Sequence, residues 1–63
     1  MSKIIDLSDK KFTMERNGYI YKLQMFRKDN MTIETLVYKN DQFIQKETIP
    51  FAQLTKKLKQ TLN

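Results

Sequence analysis

Apolar and polar residues alternate along residues 11–48, and this period of two predicts short β-strands. The alternation is interrupted at Asn17-Gly18, at Arg27-Lys28-Asp29-Asn30 and at Asn40-Asp41. Polar interruptions of this kind are typical of hairpin turns. Asn-Gly is the strongest such signal, because a type I′ turn needs positive φ at both central residues. We therefore predict an antiparallel meander of four strands, at about 11–16, 19–27, 31–39 and 42–48.

The Asn17-Gly18 turn fixes the pairing of the first two strands. It places Arg16 opposite Tyr19 and Met14 opposite Tyr21, so that their side chains project from one side of the sheet. Continuing the alternation gives one predicted core row, which also takes residues from the later strands: Phe12, Met14, Tyr21, Leu23, Met25, Ile33, Val37 and Ile44.

The pairing of the third strand depends on the length of its loop. A three-residue loop, Lys28-Asp29-Asn30 with Asn30 in the left-handed conformation, places Arg27 opposite Met31 and keeps Ile33 and Val37 in the core row. A two- or four-residue loop is the alternative, and it brings Leu36 and Tyr38 to that side. The Asn40-Asp41 turn then predicts two pairs, Tyr38 with Phe43 and Val37 with Ile44.

The period changes at Ile49-Pro50, where a helix of about 50–61 is predicted. Proline is favoured in the first turn of a helix. Apolar residues then recur at spacings of three and four, which places them on one helical face: Phe51, Leu54, Leu58 and Leu62. We expect this face to cover the core row, giving an α+β fold with the helix on one side of the sheet. Residues 3–7 could add an edge strand, or residues 1–10 could form a loose arm.

The chain has 63 residues, no cysteine, no histidine and a net charge of +5. This length predicts a single small domain (1–63) with a limited core, for which self-association is a common source of added stability. No apolar segment approaches the roughly 20 residues of a membrane helix, and no signal peptide is evident, so we expect no membrane association and a cytoplasmic location. Many lysines, isoleucines and asparagines suggest an AT-rich genome, bacterial or phage.

Composition argues against an enzyme. The usual general base and the usual soft metal ligand are both missing, because histidine and cysteine are absent. The seven acidic residues are scattered and lack the spacing of a calcium loop. We expect no catalytic residues, no metal and no cofactor.

A binding module is the better interpretation. The side of the sheet opposite the helix, called here the outer face, is predicted to carry five large apolar residues: Ile20, Phe26, Leu36, Tyr38 and Phe43. This exceeds the scattered apolar exposure of most monomers. Three explanations compete for this apolar surface. It forms a homodimer contact or is covered by residues 3–7, it binds a nucleic acid, or it binds a protein partner, in which case the chain is an adaptor or inhibitor.

Strand-borne aromatic side chains next to basic ones are typical of sheets that bind single-stranded nucleic acid. The candidate contacts are Lys22, Arg27 and Lys28 for phosphates, and Tyr38 and Phe43 for base stacking. A four-strand meander that runs through Ile49-Pro50 into a lysine-bearing helix resembles the architecture of the single-stranded-DNA-binding transcriptional coactivators, in which two subunits pair. The resemblance covers element order alone, so no family is assigned.

Overall fold

The computed structural model describes residues 3–62 and confirms an α+β fold: an open antiparallel sheet followed by one C-terminal α-helix. Strands β3 and β4 form the centre of the sheet, β5 pairs with β4 at one edge, and β1 and β2 both pair with β3 at the other. The elements are β1 (Ile4–Asp6), β2 (Thr13–Arg16), β3 (Tyr19–Arg27), β4 (Thr32–Lys39), β5 (Gln42–Pro50), a 3-10 turn (Phe51–Gln53) and α1 (Lys56–Leu62).

Both two-residue turns form as the sequence predicts. Asn17 and Gly18 have φ values of 52° and 83°, and the flanking pairs Arg16–Tyr19 and Met14–Tyr21 follow. Asn40 and Asp41 also have positive φ, at 53° and 63°, and Tyr38 lies opposite Phe43. Asparagine and aspartate tolerate this left-handed backbone better than most residues.

The loop between β3 and β4 has four residues, so the predicted three-residue loop is wrong. Arg27 lies opposite Thr32, and Met31 rather than Asn30 has the positive φ, of 55°. Two contacts support this geometry: the Phe51 N–H donates to the Met31 carbonyl at 2.9 Å, and the Thr32 hydroxyl donates to Asn30 Oδ1 at 2.7 Å.

A β-bulge in β3 corrects the predicted position of Phe26. Leu23 lies opposite Thr35 and Met25 opposite Glu34, which leaves Gln24 as an extra residue. The extra residue reverses the alternation of the strand that follows it. Phe26 therefore turns to the helix side, where it is 2% exposed, and Met25 moves to the outer face. The bulge offsets the longer loop, so Ile33 and Val37 stay on the helix side, as predicted.

A second bulge, in β5, corrects the position of Ile44. Tyr38 lies opposite Phe43, but Val37 lies opposite Gln45 and not opposite Ile44. Ile44 is 48% exposed, so it does not belong to the core. Phe43 contacts Tyr38 on the outer face, whereas Ile44 lies beside Val37 on the helix side. The inserted residue puts Ile44 and Gln45 on the same side of the sheet.

Strands β1 and β2 share one edge of β3. β2 pairs with residues 19–22 and β1 with residues 25–27, so Ile4–Asp6 form an edge strand and not part of a loose arm. Residues 1 and 2 of the predicted arm lie outside the described part of the chain. The loop between them bridges the bulge, because the Leu7 N–H donates to the Gln24 carbonyl at 2.8 Å and the Leu23 N–H donates to the Phe12 carbonyl at 3.0 Å. Leu7, which the predicted core row omits, is buried.

The core lies between the sheet and the C-terminal segment. Phe26 stacks on Phe51 with ring centroids 5.1 Å apart, and Phe12, Tyr21 and Leu62 pack around its margin. The helix is shorter than predicted, because β5 continues to Pro50 and α1 begins after Thr55. The Thr55 hydroxyl accepts the Leu58 N–H at 3.3 Å, as an N-cap does. The buried cluster is Leu7, Met14, Leu23, Phe26, Ile33, Ile49, Leu54 and Leu58.

Candidate functional site

Among the described residues, 3–62, no helix covers the outer face, and its side chains fall into rows that cross the strands. Strand pairing places Ile20, Tyr38 and Phe43 side by side; we call these the aromatic row. The next pairs along the same strands bring together Lys22, Leu36 and Lys46, the basic row. These two rows are two residues apart along β3 and β4, a separation of about 7 Å, and three residues apart along β5, where the bulge lies between them.

Three side chains of these rows touch one another. The Lys22 ammonium lies 4.3 Å from the centroid of the Tyr38 ring, a cation–π contact. Tyr38 and Phe43 form an edge-to-face ring pair, with centroids 5.7 Å apart and ring planes at 68°. Phe43 is 53% exposed. The structure thus brings together three of the five predicted contact residues.

The other two predicted contacts lie elsewhere. The Arg27 Nε–H donates to Glu34 Oε2 at 2.7 Å, so this guanidinium is already paired with a carboxylate. Arg27 is five residues along β3 from Lys22, about 15 Å away. Lys28 lies in the loop beyond it, where its backbone N–H donates to the Lys3 carbonyl at 2.8 Å.

Lys46 is a residue of this face that the sequence interpretation missed. The pairing of Val37 with Ile44 would place Lys46 opposite Thr35, on the helix side. The bulge at Ile44 instead places it opposite Leu36. Lys22 and Lys46 therefore lie on either side of Leu36, one on each neighbouring strand, with their backbones about 10 Å apart. Lysine is typical of exposed positions on edge strands, and this signal could have indicated Lys46. The sequence alone does not give the pairing of β5 with β4 that places Lys46 on the outer face.

Acidic residues limit the positive region. Glu34 occupies the row after the basic row, and Glu15 and Asp6 extend the outer face on β2 and β1. Asp41 borders a shallow depression of about 160 Å³ that Ile20, Lys22 and Tyr38 also line. Positive charge is therefore concentrated in the basic row and does not extend across the whole face.

Asp6 has the clearest electrostatic perturbation. Its Oδ1 accepts the backbone N–H of Ser8 at 2.9 Å and the Ser8 hydroxyl at 2.8 Å. Both bonds favour the ionised carboxylate, so they lower the pKa of Asp6. Asp6 thus keeps a negative charge at the end of β1.

The outer face offers rings, ammonium groups and apolar contact, which can hold a ligand by stacking and charge neutralisation. Within residues 3–62, no three side chains of the metal-ligating types converge on a point. In the same part of the chain, α1 and the 3-10 turn are too short to cross a membrane. The chain matches no protein-family model, no curated protein and no solved structure.

Proposed function

We propose that this protein is a non-enzymatic binding module whose outer face binds single-stranded nucleic acid. One observation carries the proposal: the row that holds the aromatic pair Tyr38 and Phe43 lies directly beside a row with two lysines, about 7 Å away on the same three strands. Rings can stack on bases while ammonium groups neutralise phosphates.

Phe43 is the main stacking platform in this proposal. About half of its surface is open to solvent, whereas one face of Tyr38 is covered by the Lys22 ammonium. When a base stacks on Tyr38, Lys22 must leave the ring. Its ammonium is then free to meet a phosphate, so the two contacts form together.

The arrangement suggests a path for the ligand. A strand that crosses from β3 to β5 can set its bases on the aromatic row and its phosphates along the basic row. Only unpaired bases expose their flat faces in this way, which favours a single strand over a duplex. The acids Glu34 and Asp6 lie beyond the basic row and disfavour a longer contact in that direction.

A protein partner is the second candidate. The observation that favours it is the balance of charge: Asp6, Glu15 and Glu34 offset the bases of the outer face, while Ile20, Met25 and Leu36 add apolar surface. In this case the protein is an adaptor or inhibitor that uses the same aromatic row. A cytoplasmic location belongs to either proposal.

Fluorescence anisotropy with a labelled single-stranded oligonucleotide, at low and moderate salt, tests the proposal. Stacking on an aromatic side chain contributes about 1–3 kcal/mol per base, so Phe43→Leu should weaken binding about 5- to 150-fold. Phe43→Tyr keeps the ring and should bind like the parent chain. Two neutralised phosphates predict a slope of about −1.4 in log affinity against log salt, and Lys46→Gln should reduce its magnitude by about 0.7.

Lys57→Gln is the matched control for Lys46→Gln, because it removes an equal charge from the exposed surface of α1. The proposal fails if the parent chain binds no tighter than about 100 μM at low salt, a level that non-specific electrostatic binding usually reaches. Equal effects of Lys46→Gln and Lys57→Gln would also contradict it, because they would show attraction without a site. Either result leaves the protein partner as the better candidate.

A further inference from the structure

The C-terminal segment covers only part of the helix-side face. At the end of the sheet that holds the Asn17-Gly18 and Asn40-Asp41 turns, an open groove of about 360 Å³ remains on this face. Ile44 is its most prominent apolar side chain and is 48% exposed. The groove is lined by Tyr19, Tyr21, Val37, Ile44, Gln45 and Glu47.

The groove has charges of opposite sign at its two ends. The Lys39 ammonium lies 5.2 Å from the centroid of the Tyr19 ring, near the turns. Glu47 lines the opposite end. Lys39 pairs with Gln42, five residues from Glu47 along β5, so the two charges are about 16 Å apart. Arg16 points to the same side, but its guanidinium donates to the Gln53 side chain and carbonyl, each at 3.1 Å.

We propose that this groove is a homodimer interface in which a second copy of the chain packs face to face. A two-fold axis between the two sheets, running across the strands near Ile44, brings Lys39 onto the partner's Glu47. The same operation brings Glu47 onto the partner's Lys39, since a two-fold interface repeats every contact. Ile44 and Tyr19 of each copy then pack between the two ion pairs.

A second copy suits this groove better than it suits the free edge of the sheet. Within residues 3–62, no strand pairs with the outer edge of β5. That edge carries Lys46, the bulge at Ile44 and Pro50, and all three features hinder pairing between sheet edges. The groove instead offers balanced charge, which matters because each copy carries a net charge of +5.

The open part of the groove spans three strands and about four residues of each. Its area is below the roughly 800 Å² per partner of a standard interface, so the dimer should be weak. The two outer faces point away from each other in such a dimer. The inference is therefore independent of the proposed nucleic-acid function, and either one can fail alone.

Sedimentation equilibrium between about 10 μM and 1 mM tests the interface, a range chosen because interfaces this small are weak. The matched pair is Ile44→Asp and Phe43→Asp: these neighbours have similar exposure and project from opposite faces. Ile44→Asp should give a monomer, and Phe43→Asp should dimerise like the parent chain. Far-UV circular dichroism confirms that both variants are folded. The reverse pattern, or a parent chain that is monomeric at 1 mM, overturns the proposal.

A charge exchange tests the orientation of the two copies. Lys39→Glu and Glu47→Lys should each weaken dimerisation about tenfold, because each single change creates two like-charge contacts. The double variant should recover the affinity of the parent chain. Single variants without effect, or a double variant as weak as the singles, would show that Lys39 and Glu47 do not meet across the axis.

Discussion

The bulge at Gln24 makes a direct prediction about two neighbouring residues, Phe26 and Met25. Simple alternation places Met25 in the core and Phe26 on the outer face, whereas the structure places them the other way round. Replacing each by leucine keeps an apolar side chain and tests which of the two is buried. Alanine is less useful at Phe26, since about 3–5 kcal/mol is lost when a buried phenylalanine is truncated. The whole 63-residue chain is expected to have a free energy of unfolding of only about 3–9 kcal/mol.

For Phe26→Leu the loss can be worked out from the contacts. The ring pair with Phe51, at 5.1 Å and 16°, contributes about 0.5–1.5 kcal/mol beyond its burial. The poorer fit of leucine in the same cavity adds up to about 1.5 kcal/mol. We therefore expect Phe26→Leu to lower the free energy of unfolding by about 1–3 kcal/mol. Met25→Leu changes a half-buried outer-face residue and should stay within about 0.5 kcal/mol of the parent.

Urea unfolding followed by circular dichroism measures both losses. An unchanged slope of unfolding free energy against urea concentration shows that each variant unfolds in the same transition as the parent chain. A larger loss for Met25→Leu than for Phe26→Leu would refute the bulge. Equal losses would show that neither residue is fully enclosed.

Two further predictions concern the helix and the N-terminal strand. Leu58→Ala should lower the free energy of unfolding, measured in urea, by about 2–5 kcal/mol, because Leu58 is buried under the sheet. The exposed residue Lys57 gives the control, Lys57→Ala. A loss for Leu58→Ala below about 1 kcal/mol, close to that of the control, would mean that α1 does not close the core. Ser8→Ala removes the hydroxyl bond and keeps the backbone N–H bond, so it should raise the pKa of Asp6 only part of the way toward its usual value, as measured by an NMR titration of the carboxyl group; an unchanged pKa would contradict the hydroxyl bond. Because these bonds favour the charged form, their stabilisation is present above the unfolded-state pKa and is lost as the pH falls through the lower folded-state pKa.

The turns could be predicted from the sequence because their chemistry is local. Asn17-Gly18 and Asn40-Asp41 contain the residues that tolerate positive φ, and no distant contact is needed to select them. The apolar spacing of Leu54 and Leu58 likewise identifies the segment that covers the sheet, although Pro50 ends a strand here and does not begin a helix.

The two bulges could not be predicted, because each depends on packing between distant segments. Phe26 is buried in a cluster that includes the C-terminal segment, where it stacks on Phe51, a residue distant in the sequence. Each bulge then decides the face of the residues around it. That is why the sequence does not detect Lys46 as a member of the basic row. Ile44 lies on the predicted side of the sheet but is exposed, because the C-terminal segment does not cover that end.

Gln24 is the extra residue of the bulge in β3, and its side chain makes only weak contacts. Its amide donates only long hydrogen bonds, of 3.3 and 3.4 Å, to the carbonyls of Lys22 and Leu23. Many substitutions should therefore be tolerated at this site, and a single-codon deletion should leave every neighbour on its present face. Without Gln24, the pairs Leu23–Thr35 and Met25–Glu34 become consecutive and Phe26 stays on the helix side, although the hydrogen bond from the Leu7 N–H to the Gln24 carbonyl is lost. We therefore expect homologues of this chain to vary in length as well as in residue type at this position, because the extra residue can be lost without moving its neighbours to the other face of the sheet.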